Sequence, residues 1–79
     1  SLGISPRHFE ARFRAAMATT PKAFYLALRL SEARRLASDT ALSVQEIAFR
    51  TGFGAQASLA RAFRAAYGQS IRDLRRAAP

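Results

Sequence analysis

Apolar residues recur along this chain at helical rather than alternating intervals. Between residues 43 and 68, Val44, Ile47 and Ala48 form one short stripe. Leu59, Ala62, Phe63, Ala66 and Tyr67 form a second. At about 100° per residue, the second set covers one side of a helix. The opposite side carries Ala57, Arg61 and Arg64, with Gln56 and Ser58 near its N-terminal end. No run of alternating or β-branched residues predicts a strand.

Punctuation around these stripes fixes the predicted elements. Ser43 stands where an N-cap belongs, and Glu46 follows at the capping-box spacing. Gly52 follows the last periodic residue, where a left-handed backbone costs glycine least. Phe53 then gives the turn an apolar plug. Upstream, Ser5-Pro6 predicts a helix start, with the helix running to about Met17. Thr20-Pro21 repeats that signal and opens the longest helix, over residues 21–38, with Phe24, Ala27, Leu28 and Leu36 among its apolar positions. Residues 39–42 connect it to the Ser43 cap. Ser70 caps a last short helix through residue 76.

The chain also repeats itself. Phe13-Arg14-Ala15-Ala16 returns fifty positions later as Phe63-Arg64-Ala65-Ala66. At the same offset Phe9 matches Leu59, Met17 matches Tyr67 and Thr20 matches Ser70. Caps and apolar positions match together, which favours duplication over chance in an Ala/Arg-rich chain. The helix after Ser5 is then a second helix of the same kind. Its outward face carries Arg7, Ala11 and Arg14, with His8 at the border. Arg7 corresponds to Ala57 and Ala11 to Arg61, so the two faces differ in chemistry.

A capped helix, a glycine turn and a second helix with a cationic outer face is the layout of a helix-turn-helix. An ordinary helical hairpin uses the same caps, so the caps alone leave both readings open. The outer face of the second helix shifts the balance, because it contains cations and no acid. Gln, Ser and Arg side chains hydrogen-bond base edges, and Ala packs against a thymine methyl. A linker of about 18 residues spans roughly 27 Å, against about 34 Å between successive major-groove turns on one face of DNA. A rigid helix of that length suits a spacer between two heads on successive turns, if both heads are real; the alternative is a core helix whose length has no such meaning.

Composition agrees and excludes other classes. The 79 residues make one small domain, and 13 Lys+Arg against 5 Asp+Glu leave a formal net charge of +8. Such an excess favours a polyanionic partner, either nucleic acid or an anionic membrane surface. All the cations but Lys22 are arginine, which suits bidentate contacts to phosphate and guanine, although GC-rich coding also raises arginine. There is no cysteine, hence no disulfide and no thiolate metal site. His8 is the only histidine, no carboxylate pair recurs at useful spacing, and no glycine-rich phosphate loop exists, so neither an enzyme nor a cofactor is expected.

Several stretches carry a family resemblance together. They are Ser5-Pro6-Arg7-His8-Phe9 with Phe13, Thr20-Pro21, Leu28-Arg29-Leu30 with Ala33-Arg34-Arg35-Leu36, and Leu42-Ser43-Val44 with Glu46-Ile47-Ala48. They continue through Gly52-Phe53, Arg61-Ala62-Phe63-Arg64 and Tyr67-Gly68. Over nearly its whole length the chain resembles the C-terminal DNA-binding domain of AraC/XylS-type transcriptional regulators. The resemblance implies an all-α fold, with two helix-turn-helix units of homeodomain-like kind joined by a long linker helix. It implies a bacterial, cytoplasmic regulator that binds promoter double-stranded DNA through recognition helices in the major groove.

Carried over by position, the base-reading residues are Gln56, Ala57, Ser58 and Arg61 in the second unit and Arg7 and Ala11 in the first. Arg14 and Arg64 are expected at phosphates or as helix-flank cations, and His8 at a phosphate or on the surface rather than as a general base. Arg29, Arg34 and Arg35 are expected to be structural, with Glu32 within reach of Arg29 or Arg35. The family pattern places two helices before Gly3, so residues 1–20 are expected to be the remnant of an incomplete first unit in an N-terminally truncated domain. RNA polymerase is a possible partner. Dimers are expected either through a separate N-terminal domain or through the face such truncation exposes. Gly54 stands where the family usually has a capping Ser. Two other classes explain the charge: a basic RNA-binding module and an anionic-membrane binder. Neither explains the repeat, and most aromatics fall on predicted core faces.

Overall fold

The computed structural model describes residues 19–77 of the chain. Among them are four helices and no strand: α1 (Pro21–Asp39), α2 (Val44–Arg50), α3 (Gln56–Tyr67) and α4 (Ile71–Ala77). The helix expected over residues 5–17, with Arg7, His8, Ala11 and Arg14, lies outside the described residues.

Local chemistry starts each helix where the caps predict, with one exception. The Thr20 hydroxyl accepts from the Ala23 N–H at 3.1 Å, and Pro21 occupies the first turn, where its missing N–H costs nothing. The Ser43 hydroxyl accepts from the Glu46 N–H at 3.1 Å. Glu46 does not complete the box; its carboxylate turns to Arg50 Nε at 2.9 Å. Ser70 makes the full reciprocal arrangement. Its hydroxyl accepts from the Asp73 N–H at 3.0 Å, and its own N–H donates to the Asp73 carboxylate at 3.2 Å. Those bonds, with Arg64 and Arg76 nearby, hold the Asp73 carboxyl below its ordinary pKa. The exception is α3, whose N-cap is Ala55 and which has no side-chain cap bond.

One core joins the four helices. Leu30, Ala33, Leu36 and Ala37 of α1 meet Ile47 and Ala48 of α2, Leu59 and Phe63 of α3, and Ile71 of α4. Phe63, Ile47 and Leu59 are fully buried, each stabilising by about 1.5–3 kcal/mol through removal from water. Phe53 packs against this core, as its place in the turn predicts. Ala33 and Ala48 are sealed completely, small side chains that let the helices approach closely.

The linker helix divides its apolar residues differently from the sequence expectation. Leu36 is buried, Phe24 is half-buried, and Ala27 and Leu28 are exposed. The core-facing positions are Leu30, Ala33, Leu36 and Ala37, running from the middle of the helix toward its C-terminal end. Their spacing follows the stripe that α2, α3 and α4 present, which the helix alone does not encode. The N-terminal half leaves Tyr25, Leu26 and Leu28 exposed.

Arginines tie the bundle at its edges. Arg75 donates from Nε to the Ala37 carbonyl at 3.0 Å and from Nη2 to the Thr40 carbonyl at 3.1 Å. It thereby serves carbonyls that the end of α1 leaves without helical partners. Arg34 lies 4.9 Å over the Tyr67 ring, which meets Phe63 edge-on at 4.7 Å. Glu32 pairs with Arg35 rather than Arg29, accepting from Nε at 3.0 Å, and this bond draws its carboxyl below the usual range. Arg29 lies instead across the turn after α2. A β-carbon added at Gly52 would stand 3.6 Å from its Nε.

Candidate nucleic-acid interface

The candidate interface is the outer surface of α3, and the turn before it sets how that surface is presented. α2 ends in a Schellman arrangement. Gly52 is left-handed at φ 84°, the Phe53 N–H bonds to the Ala48 carbonyl at 2.9 Å, and the Gly52 N–H to Phe49 at 3.3 Å. The chain then turns again at Gly54, also left-handed at φ 77°. This corrects the assignment of Gly54 as the cap of α3: the cap is Ala55, in extended conformation. Space is not the reason for glycine at 54, since an added β-carbon would meet nothing within 4 Å. The left-handed backbone is, at about 1–2 kcal/mol for another residue.

Two rows of residues run along the exposed side of α3. Ala57, Arg61 and Ala65 form one, at intervals of four. Gln56, Ala60 and Arg64 form its neighbour on the side of α4. All six are exposed, while Leu59 and Phe63 on the reverse side are fully buried. The wheel therefore assigned the two sides correctly at its centres and erred at one margin. Ala66, expected inside, is exposed, and Ala62 and Tyr67 are half-buried. Ser58 is half-buried, at the edge of the surface away from α4.

The cations of this surface, Arg61 and Arg64, form no direct ion pair among the described residues, whereas Arg35 and Arg50 each bind a carboxylate of their own helix. α3 contains no acid. Asp73, the acid closest in sequence to its C-terminal end, is engaged by the Ser70 cap. A rigid helix with a sealed apolar side and a flat cationic side fits the width of a B-DNA major groove, which admits one α-helix. Sequence reasoning missed Arg72. It is exposed on α4 and shares a groove with Gln56. Its place depends on how α4 packs against α3, which no local motif reports. Among the described residues no helix is long and apolar enough to cross a membrane, and no group of metal-ligating side chains is assembled.

Comparison with known proteins gives the same architecture. A family model described as "Helix-turn-helix domain" matches residues 1–77. The HTH-type transcriptional regulator GlxA of Rhizobium meliloti is 40% identical over 74 residues, covering 94% of this chain and 23% of the relative. The regulator CdhR of Pseudomonas aeruginosa is 37% identical over 67 residues, covering 85% and 20%. The chain thus spans about a fifth of the length of these curated relatives. Its fold is similar to the DNA-binding domain of AdpA, a global transcriptional factor crystallised with a target DNA. That match has TM-score 0.88 and 33% identity, over 95% of this chain and 68% of the other. An AraC-type transcriptional regulator from Chromobacterium violaceum matches with TM-score 0.88 and 32% identity, over 99% of this chain and 71% of that one. These relatives are transcriptional regulators by name, and the chain belongs to the AraC-type family of helix-turn-helix DNA-binding domains.

Proposed function

We propose that this chain binds promoter DNA sequence-specifically by laying α3 in the major groove, and that it controls transcription as part of a bacterial regulator. The observation that carries the reading is the unpaired cationic face of α3, set directly opposite the fully buried Leu59 and Phe63. A helix held by its apolar side cannot roll, so its outer rows keep one orientation toward the groove. Gln56, Ala57, Ser58 and Arg61 are the base-facing set. Arg61 reads guanine, Ala57 contacts a thymine methyl, and Gln56 and Ser58 bond base edges at the helix start. Arg64, on the flank beside α4, holds a phosphate. AdpA, crystallised through the corresponding domain with a target DNA, supports the same use of the fold.

The same proposal assigns Arg7 and Ala11 to base reading and Arg14 and His8 to phosphates in a first head. It also places the regulator in the bacterial cytoplasm, with pairing of chains and contact with RNA polymerase at the promoter. Selection of binders from a randomised duplex pool at near-physiological salt tests the reading. Enrichment of a short motif is the expected result. Salt-sensitive retention of DNA with no enriched motif would leave only a generic polyanion binder, and retention of single-stranded RNA over duplex would move the function to RNA.

A further inference from the structure

Beside the N-terminal half of α3 runs an open groove of about 280 Å³. Its apolar floor is Val44, Ala60 and Ile71, and its polar rim is Gln56, Ser70 and Arg72. No acid lines it. The groove adjoins the row Gln56, Ala60 and Arg64, so it is continuous with the DNA-facing surface proposed above. Arg72 is exposed and, among the described residues, has no ion pair. Its backbone is nevertheless held firmly. Ile71 is in the core, and Arg75, three residues on, is bonded twice to the end of α1. The neighbouring Asp73 carboxylate is turned to the Ser70 N–H and forms no ion pair with Arg72.

We infer that Arg72 is a phosphate-holding residue outside the helix-turn-helix, seating the DNA strand that borders α3 in the groove between α3 and α4. The apolar floor suits a deoxyribose, and the Arg72 guanidinium on the rim suits the phosphate next to it. Arg72 then fixes the depth of the N-terminal end of α3, where Gln56 meets the bases, and Arg64 anchors the same flank two turns further along. Contact to phosphate positions a protein without reading sequence. Arg72 therefore sets register for Arg61 and Ala57 rather than preference of its own. This inference rests on the proposed binding of duplex DNA by α3.

The test is titration of the full chain with a labelled mixed-sequence duplex at several salt concentrations. Wild type, Arg72→Ala, Arg72→Lys and Arg35→Ala are compared. Arg35 is the charge-matched control, because it is exposed and paired with Glu32 on α1. Each phosphate contact contributes about 0.9 to the slope of log affinity against log salt. Arg72→Ala is expected to flatten the slope by about that amount, so that a fourfold rise in salt costs it about 3.5-fold less affinity than wild type. Arg72→Lys is expected to keep the wild-type slope, as is Arg35→Ala. An unchanged slope in Arg72→Ala, with wild type still salt-sensitive, would overturn the role of Arg72 alone. Equal flattening in Arg72→Ala and Arg35→Ala would reduce it to net charge and overturn it too. Absence of any salt-dependent duplex binding by wild type would instead remove the reading on which it rests. Far-UV circular dichroism is expected to be the same for all four chains.

Discussion

The two helices of the helix-turn-helix solve opposite problems. α2 is closed on itself: Ser43 caps its start, the Gly52 turn satisfies its end, and Glu46 neutralises Arg50. α3 has no side-chain cap at its start and leaves Arg61 and Arg64 unpaired. Both bury their inner residues completely, Ile47 and Ala48 in one and Leu59 and Phe63 in the other. The difference lies in how their starts are capped and in what they show outward. A helix that scaffolds can spend its polar groups on its own stability. A helix that binds must leave them available, and its stability then comes from the core and from its neighbours.

The strongest way to break this contrast is to remove what the two helices share. Phe63→Ala should cost about 3–5 kcal/mol, read by denaturant unfolding, and both helices should be lost in one transition. Two separate transitions would show that α2 stands without α3. Next, Arg61→Ala should weaken binding to a preferred site by about 1–3 kcal/mol and relax preference at one position, while the melting curve stays in place. An equal loss on every sequence would reassign Arg61 to a phosphate. Arg50→Ala, the matching change on α2, should leave binding preference alone and shift stability by at most about 0.5 kcal/mol.

Smaller changes sharpen the contrast at the caps. Ser43→Ala should cost about 1 kcal/mol, since α2 depends on that hydroxyl. Ala55→Ser should do the reverse at α3, adding roughly 0.5–1 kcal/mol of stability by supplying the missing cap. No gain would mean that the extended backbone at 55 cannot direct the hydroxyl to the helix. The Ser70–Asp73 cap adds a pH dependence. Its carboxyl pKa is lowered on folding, so its contribution is complete above the ordinary carboxylate range and disappears as pH falls through the folded value. Thermal melts of Asp73→Asn should therefore stay separated from wild type above about pH 4, and the gap should narrow only as pH falls from there through the lower folded value. A constant gap across that range would exclude the charge as the cause.

Legibility in the sequence followed the range of each interaction. Thr20, Ser43, Ser70 and Gly52 act within a few residues, and each stands where its pattern places it. The inner and outer sides of α3 were legible because one helix period decides them. What was hidden depends on distant partners. Nothing near residues 30–37 says that Leu30 rather than Leu28 turns inward, since α2, α3 and α4 set that choice. Arg75 looks like any surface cation until the carbonyls of Ala37 and Thr40 are seen beside it. Gly54 fitted a capping pattern by position, and only the backbone angle shows a turn glycine. Arg72 meets Gln56 through the packing of α4, so no motif within either helix marks the groove they form.

The place of α4 in this packing has a consequence for the order of events during synthesis. Ile71 completes the core, and Arg75 closes the end of α1, yet both leave the ribosome after the α1, α2 and α3 residues they join. α1, α2 and α3 can form as helices within about a microsecond once free. Their shared apolar stripe nevertheless waits, partly uncovered, until residue 71 emerges. α3 therefore acquires its fixed seat only after α4 has emerged. A nascent chain lacking α4 would carry the cationic face of α3 without the frame that fixes its orientation, so any use of that face waits for residues 71–75.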